Sequence, residues 1–188
     1  AAYDALFDKH GVIRVRTIDE LASTTMLMAQ PRRAVQGGLG AVLDSGGARG
    51  LFIDLAQDNG IRFAEISAET EGRLRNTLEY GLEPVNPVDA WGTGNNAGEI
   101  FEECLQAVAD DPDTGLAILM SDITNDDDPG NAEFAKLVRN VQARSEKPVL
   151  LGLHWSQHRN KRVSRITAEA GIPVLDGSEN ALLAIRHA

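Results

Sequence analysis

From Leu39 onward, short continuous apolar runs alternate with longer segments in which apolar residues return every three or four positions. Parallel strands covered on both faces read as unbroken apolar runs, and each helix that connects them carries one apolar stripe. The runs Gly40 to Leu43, Arg62 to Glu65, Leu116 to Met120, Val149 to Leu153 and Pro173 to Leu175 predict five strands. The stripe Ile100, Phe101, Cys104, Leu105 and Val108 predicts one connecting helix, and Phe134, Leu137, Val138 and Val141 predict another. The expected architecture is α/β, a doubly wound, mostly parallel five-stranded sheet.

A helical lead-in precedes the sheet. Tyr3, Leu6 and Phe7 share one face of a helix over Tyr3 to Lys9, with Gly11 as its stop. An extended piece, Val12 to Val15, follows. Thr17 and Glu20 then have the spacing of a capping box, in which a hydroxyl and a carboxylate satisfy orphan amides at a helix start. That second helix is expected to run to about Ala29. Pro31, Arg32, Arg33 and the Gly37-Gly38 pair break the periodicity, so 1–36 reads as a lead-in and linker and 37–188 as the main domain.

With 188 residues the chain has room for one sizeable core, and 24% charged residues is an ordinary globular value. The formal charge of −10 opposes phosphate backbones, and the only dense basic run is Arg159 to Arg162, so nucleic acid is not expected as a partner. No apolar run approaches the length of a membrane span, and the single Cys104 excludes an intrachain disulfide, which together point to the cytoplasm. The chain starts at Ala1 within a helical pattern and without a leader of signal-peptide type, as a piece of a longer protein would.

In open α/β sheets, ligands bind beyond the carboxyl ends of the strands. The first such turn is Asp44-Ser45-Gly46-Gly47-Ala48-Arg49-Gly50, which leads straight into the helical run Leu51, Phe52, Leu55. Glycines let backbone approach an anion, and a helix amino end offers free amides and partial positive charge. Ser45, Gly46, Gly47, Ala48, Arg49 and Gly50 are therefore the candidate phosphate cradle. The spacing matches neither a Walker loop nor a full GxGxxG fingerprint, and the same glycines also suit a plain tight turn. A second cluster, Asn86, Pro87 and Asp89, would form a rigid wall beside the site or simply cap the next helix.

Several other groups read as bland. His154 and His158 follow a strand, but their spacing suggests no third metal ligand, and a surface or packing role is the simpler reading. His10 and His187 lie at a helix end and at the carboxyl terminus. Asp122, Asp126, Asp127 and Asp128 could be imagined around magnesium but read better as a solvated loop before a helix near Asn131. No nucleophile elbow in a Ser-His-Asp order is present. The turn also lacks the Ser/Thr-rich phosphate loop of a flavin carrier.

The order of pieces resembles the acyl-CoA synthetases that form a nucleoside diphosphate, in particular the ADP-forming acetate-CoA ligases, relatives of succinyl-CoA synthetase. The resemblance rests on Tyr3 to Phe7, Gly11 to Val15, Asp19 to Leu21, the turn at Ser45 to Gly47, and Glu65 to Ser67 with Thr70. It continues through Asn86 to Asp89, Lys147 to Val149 and Ala170 to Val174, covering almost the whole chain. It implies a flavodoxin-like fold and a part in interconverting acyl-CoA, ADP and phosphate with free acid, CoA and ATP through a phosphohistidine. In that family helix amino ends face the phosphohistidine, and the helix opening at Ser45 to Gly50 is similar to one of them.

By the same resemblance the phosphorylated histidine lies before Ala1, so no catalytic residue and no metal ligand are expected within the chain. CoA, ATP or ADP and magnesium would be used by the parent enzyme and none bound by this domain alone, leaving the isolated chain inactive. The implied partners are CoA-binding, phosphohistidine and ATP-grasp domains, whose absence would leave an apolar surface able to pair two copies. Asp44 departs from the Asn common at its position, and a carboxylate there would repel phosphate unless turned away, protonated or offset by Arg49. The rival reading is a non-catalytic flavodoxin-like scaffold that binds an anion or a protein.

Overall fold

The computed structural model describes residues 2–124, 129–155 and 160–188. Two helices, α1 (Ala2–Lys9) and α2 (Ile18–Ala29), lead into β1 (Gly38–Leu43) and α3 (Gly46–Asp58). Then come α4 (Ala68–Thr77), β2 (Val88–Asp89), α5 (Ala97–Asp110), β3 (Thr114–Ser121), α6 (Pro129–Arg144), β4 (Val149–Leu153), α7 (Lys161–Glu169), β5 (Val174–Asp176) and α8 (Ser178–Arg186). The sheet order is β2-β1-β3-β4-β5, and every pairing is parallel. This is the flavodoxin-like winding, whose direction reverses between β1 and β3.

Alternation along the strands divides the core into two layers. Leu39, Ala41, Leu43, Ile118, Met120, Leu150 and Leu175 face Phe52 and Ala56 of α3, Leu182 of α8 and Leu27 of α2. Val42, Val88, Leu119, Leu151 and Leu153 face Leu74 of α4, Phe101, Cys104, Leu105 and Val108 of α5, Val138 and Val141 of α6, and Val163 of α7. The buried stripes of α5 and α6 include the residues that the periodicity singled out, apart from the partly buried Ile100 and Phe134. Cys104 lies fully buried, and burial, with a smaller effect of Glu103, pushes its thiol up to about 12.

Arg62 to Glu65, expected as a strand, is not one. Phe63 forms a single bridge with Leu39, flanked by Leu39 N–H to Arg62 O at 2.8 Å and Ala64 N–H to Leu39 O at 3.0 Å. The ladder stops there because the Asn86 side chain takes the next places. Its Oδ1 accepts from Ala41 N–H at 2.9 Å, and its Nδ2 donates to Leu39 O at 2.8 Å and Ala64 O at 3.0 Å. Two residues later Val88 and Asp89 pair with Val42 and Leu43, so the edge strand comes from the Asn-Pro-x-Asp cluster instead.

Val12 to Val15, expected as an extended piece, links α1 to α2 without joining the sheet. The helix start after it follows expectation in part: Thr17 caps α2 through Glu20 N–H at 3.0 Å, but the Glu20 carboxylate accepts from Arg16 N–H at 2.7 Å, one residue before the cap. Glu20 is fully buried and also meets His187 Nε2 at 3.1 Å, tying α2 to the end of α8. Burial raises its pKa, but the Arg16 amide, His187 and Arg186 outweigh that and hold it below the usual glutamate value. In contrast, α1 buries no residue.

Candidate functional site

The chain reversal puts the ends of β1, β3 and β4 side by side, and the residues just beyond them form one polar cluster. Ser45 is the N-cap of α3, its hydroxyl accepting a long 3.4 Å bond from Ala48 N–H. Among the described residues the amides of Gly46 and Gly47 have no hydrogen-bond partner, so this helix amino end keeps donors to offer an anion. A Cβ on Gly46 would lie 2.9 Å from Asp89 Oδ2, so only glycine lets the β2 carboxylate come this close. Gly47 is different, since a Cβ there would make only an ordinary contact, 3.8 Å from Ser45 Oγ.

The wall residues serve the backbone as much as the site. Asn86 fills the gap between β1 and its neighbours, Pro87 O accepts from Arg49 Nε at 2.6 Å, and Asp89 Oδ1 accepts from Trp91 N–H at 3.2 Å. Arg49 thus fastens α3 to the β2 loop and does not offset Asp44. Trp91, Trp155 and Leu51 stand exposed around this edge, each 47% or more accessible.

Asp44 is turned away from the α3 amides. Its Oδ2 accepts from Ser121 Oγ at 2.8 Å and Asp122 N–H at 2.7 Å, and its Oδ1 lies 3.0 Å from His154 Nε2. Both side chains are nearly buried, 11% and 13% exposed. Burial raises the Asp44 pKa, but the bonds from His154, Asp122 and Ser121 outweigh it and hold the carboxyl below the usual aspartate value. The other imidazole nitrogen of His154, Nδ1, lies 3.3 Å from Ser178 Oγ at the start of α8.

The sequence does not announce this chain of contacts: Asp44 reads as a carboxylate that repels phosphate unless turned away, as it is here, and His154 reads as a surface or packing residue. The available signal was position: both directly follow strands that the winding brings to one edge. Of the remaining histidines, His187 packs on Glu20, while His158 and the acidic residues Asp126, Asp127 and Asp128 lie outside the described residues. Among the described residues no three His, Cys, Asp or Glu side chains are grouped to hold a metal, and no helix is long and apolar enough to cross a membrane.

No family model matches the chain. It is 29% identical over 180 residues to a trans-feruloyl-CoA synthase from an unknown prokaryotic organism, covering 94% of this chain and 25% of that one. It is 27% identical over 172 residues to the ADP-forming acetate-CoA ligase I of Archaeoglobus fulgidus, covering 92% and 23%. With the alpha subunit of the ADP-forming acetate-CoA ligase II of Pyrococcus furiosus it shares 24% identity over 184 residues, covering 97% and 39%. Among solved structures, a protein from Pyrococcus horikoshii superposes with a TM-score of 0.81 at 23% identity, over 99% of this chain and 42% of that one. A dinucleotide-forming acetyl-coenzyme A synthetase 1 from Ca. Korarchaeum cryptofilum, in complex with phosphate and ADP, gives 0.79 at 17% identity, over 99% and 39%.

The chain is thus similar to ADP-forming acetate-CoA ligases, as its sequence motifs suggest, and shares the fold of these structures. It spans about a quarter to two-fifths of the length of the relatives it matches.

Proposed function

We propose that this chain acts as a flavodoxin-like domain of an NDP-forming acyl-CoA synthetase, positioning a phosphate or phosphohistidine while acyl-CoA, ADP and phosphate are interconverted with acid, CoA and ATP. The observation that carries this reading is the amino end of α3. It sits beside the switch point of the sheet, its Gly46 and Gly47 amides lack partners among the described residues, and the nearby Asp44 is drawn off by His154, Ser121 and Asp122. Backbone donors aimed at a dianion stabilise it without a buried countercharge, so the role of the α3 amino end is electrostatic positioning and not bond making.

The phosphoryl carrier, CoA and the nucleotide with its magnesium belong in this reading to CoA-binding, phosphohistidine and ATP-grasp domains of the parent enzyme. Exposed Trp91, Trp155 and Leu51 around the site support a face that receives another domain, since aromatic side chains are enriched where proteins dock. Residues 1–36 serve as the lead-in from a preceding phosphohistidine domain, and 37–188 as the ligase domain.

The test is ATP formation from acetyl-CoA, ADP and phosphate by the full-length protein, wild type against Gly47→Asp. The substitution has steric room, so an added carboxylate at the α3 amino end is expected to lower turnover about 100-fold, the scale of losing one oxyanion donor. Equal turnover would reject the docking role and favour a non-catalytic scaffold.

A further inference from the structure

Ser178, His154 and Asp44 stand in line: hydroxyl to Nδ1 at 3.3 Å, and Nε2 to carboxylate at 3.0 Å. The chemistry of Asp44 decides the tautomer. Its carboxylate already accepts from Ser121 Oγ and Asp122 N–H, and an ionised carboxylate cannot donate, so His154 must carry its proton on Nε2. In the neutral imidazole, the Nδ1 lone pair then faces the Ser178 hydroxyl. That is the arrangement in which a carboxylate orients an imidazole as general base toward a serine, with the two ring nitrogens exchanged relative to the familiar triad.

The backbone around Ser178 matches this geometry. Strand β5 ends at Asp176, Gly177 turns at φ +85°, and Ser178, only 9% exposed, opens α8 at the carboxyl edge of the sheet. Gly177 supplies no side-chain cap, and the first intrahelical bond is Ala181 N–H to Gly177 O at 2.9 Å. The amides of Glu179 and Asn180 therefore precede the ladder and can receive a developing oxyanion. An apolar cleft of about 430 Å³, with Met26, Ile123, Val163 and Ile172 in its wall, reaches Leu153 and Asp176, the chain neighbours of His154 and Gly177, while His154 and Ser178 themselves do not line it.

We propose that Ser178 is a nucleophile, His154 its general base and Asp44 the positioning residue of an acyl-transfer centre that accepts small activated acyl esters or thioesters. The Ser178 Oγ to acyl carbon bond forms and the carbon to leaving-group bond breaks, while the serine proton passes to His154 Nδ1 and on to the departing alkoxide or thiolate. Water then attacks the acyl-serine, giving a proton to Nδ1. As the carbon to Oγ bond breaks, that proton returns to Ser178, releasing the carboxylic acid.

Treating the 188-residue chain with diisopropyl fluorophosphate tests the assignment, because the reagent forms a stable phosphorus–oxygen bond with an activated serine and expels fluoride. The expected result is one adduct per chain, mapped to Ser178 by peptide mass, with labelling slowed at least about 100-fold in His154→Ala, the lower range of general-base assistance. Circular dichroism of each variant keeps loss of fold separate from loss of reactivity. For Asp44→Asn, nitrogen chemical shifts of His154 are expected to change from the single Nε2–H tautomer to a mixture. A folded wild-type chain without an adduct at Ser178, or equal labelling in His154→Ala, would overturn the assignment.

Discussion

Asp44 sits one residue before the N-cap of α3, where a carboxylate aimed at the helix amides would repel a docked phosphoryl group. Its oxygens face His154, Ser121 and the Asp122 amide instead, and those bonds make its folded pKa lower than in an unfolded chain. Ionised Asp44 therefore stabilises the fold at pH above the ordinary aspartate range, and that contribution is lost as pH falls through the depressed value. Asp113, held at about 2 chiefly by the Arg62 guanidinium and then by the Glu65 amide, acts in the same direction. Urea unfolding between pH 6 and pH 3 is expected to show a shallower acid loss of stability in Asp44→Asn than in wild type, and identical slopes would refute the pairing. This residue-scale network was hidden in the sequence because 110 positions separate Asp44 from His154. Only the strand order brings them together.

At the scale of elements, most of the sheet was legible because its buried strands are continuous apolar runs, and Val149 to Leu153 matches β4 residue for residue. The edge strand was not, since a two-residue strand has no periodicity to read. The segment Arg62 to Glu65 was misleading because pairing there is ended by a side chain from more than twenty residues away. Asn86 does this with all three of its bonds going to main chain. Asn86→Ala would strip Ala41 N–H of its acceptor and is expected to cost about 1–3 kcal/mol, measured by denaturant unfolding. A change under about 0.5 kcal/mol, the usual range for surface substitutions, would show that water replaces the side chain at no net cost.

Across the whole molecule, the two faces of the sheet are fully clothed, whereas the lead-in leaves Tyr3, Leu6, Val12, Ile13, Ile18 and Leu21 exposed. Such a stretch is what a chain spanning a quarter to two-fifths of its relatives would show where another domain packs. In isolation it should pair two copies weakly, so sedimentation is expected to reveal self-association that grows with concentration and disappears in the Leu6→Glu, Ile18→Glu double variant. A monomer at every concentration would remove the homodimer from the account. The charge of −10 makes anion capture by the body of the protein unfavourable, which leaves the burden on local geometry at α3. Titration of the 188-residue chain with inorganic phosphate, followed by amide chemical shifts, addresses that geometry directly. The account predicts shifts centred on Ser45 to Gly50 that vanish in Gly47→Asp; a wild-type spectrum unmoved at millimolar phosphate, or shifts that survive the substitution, would contradict it.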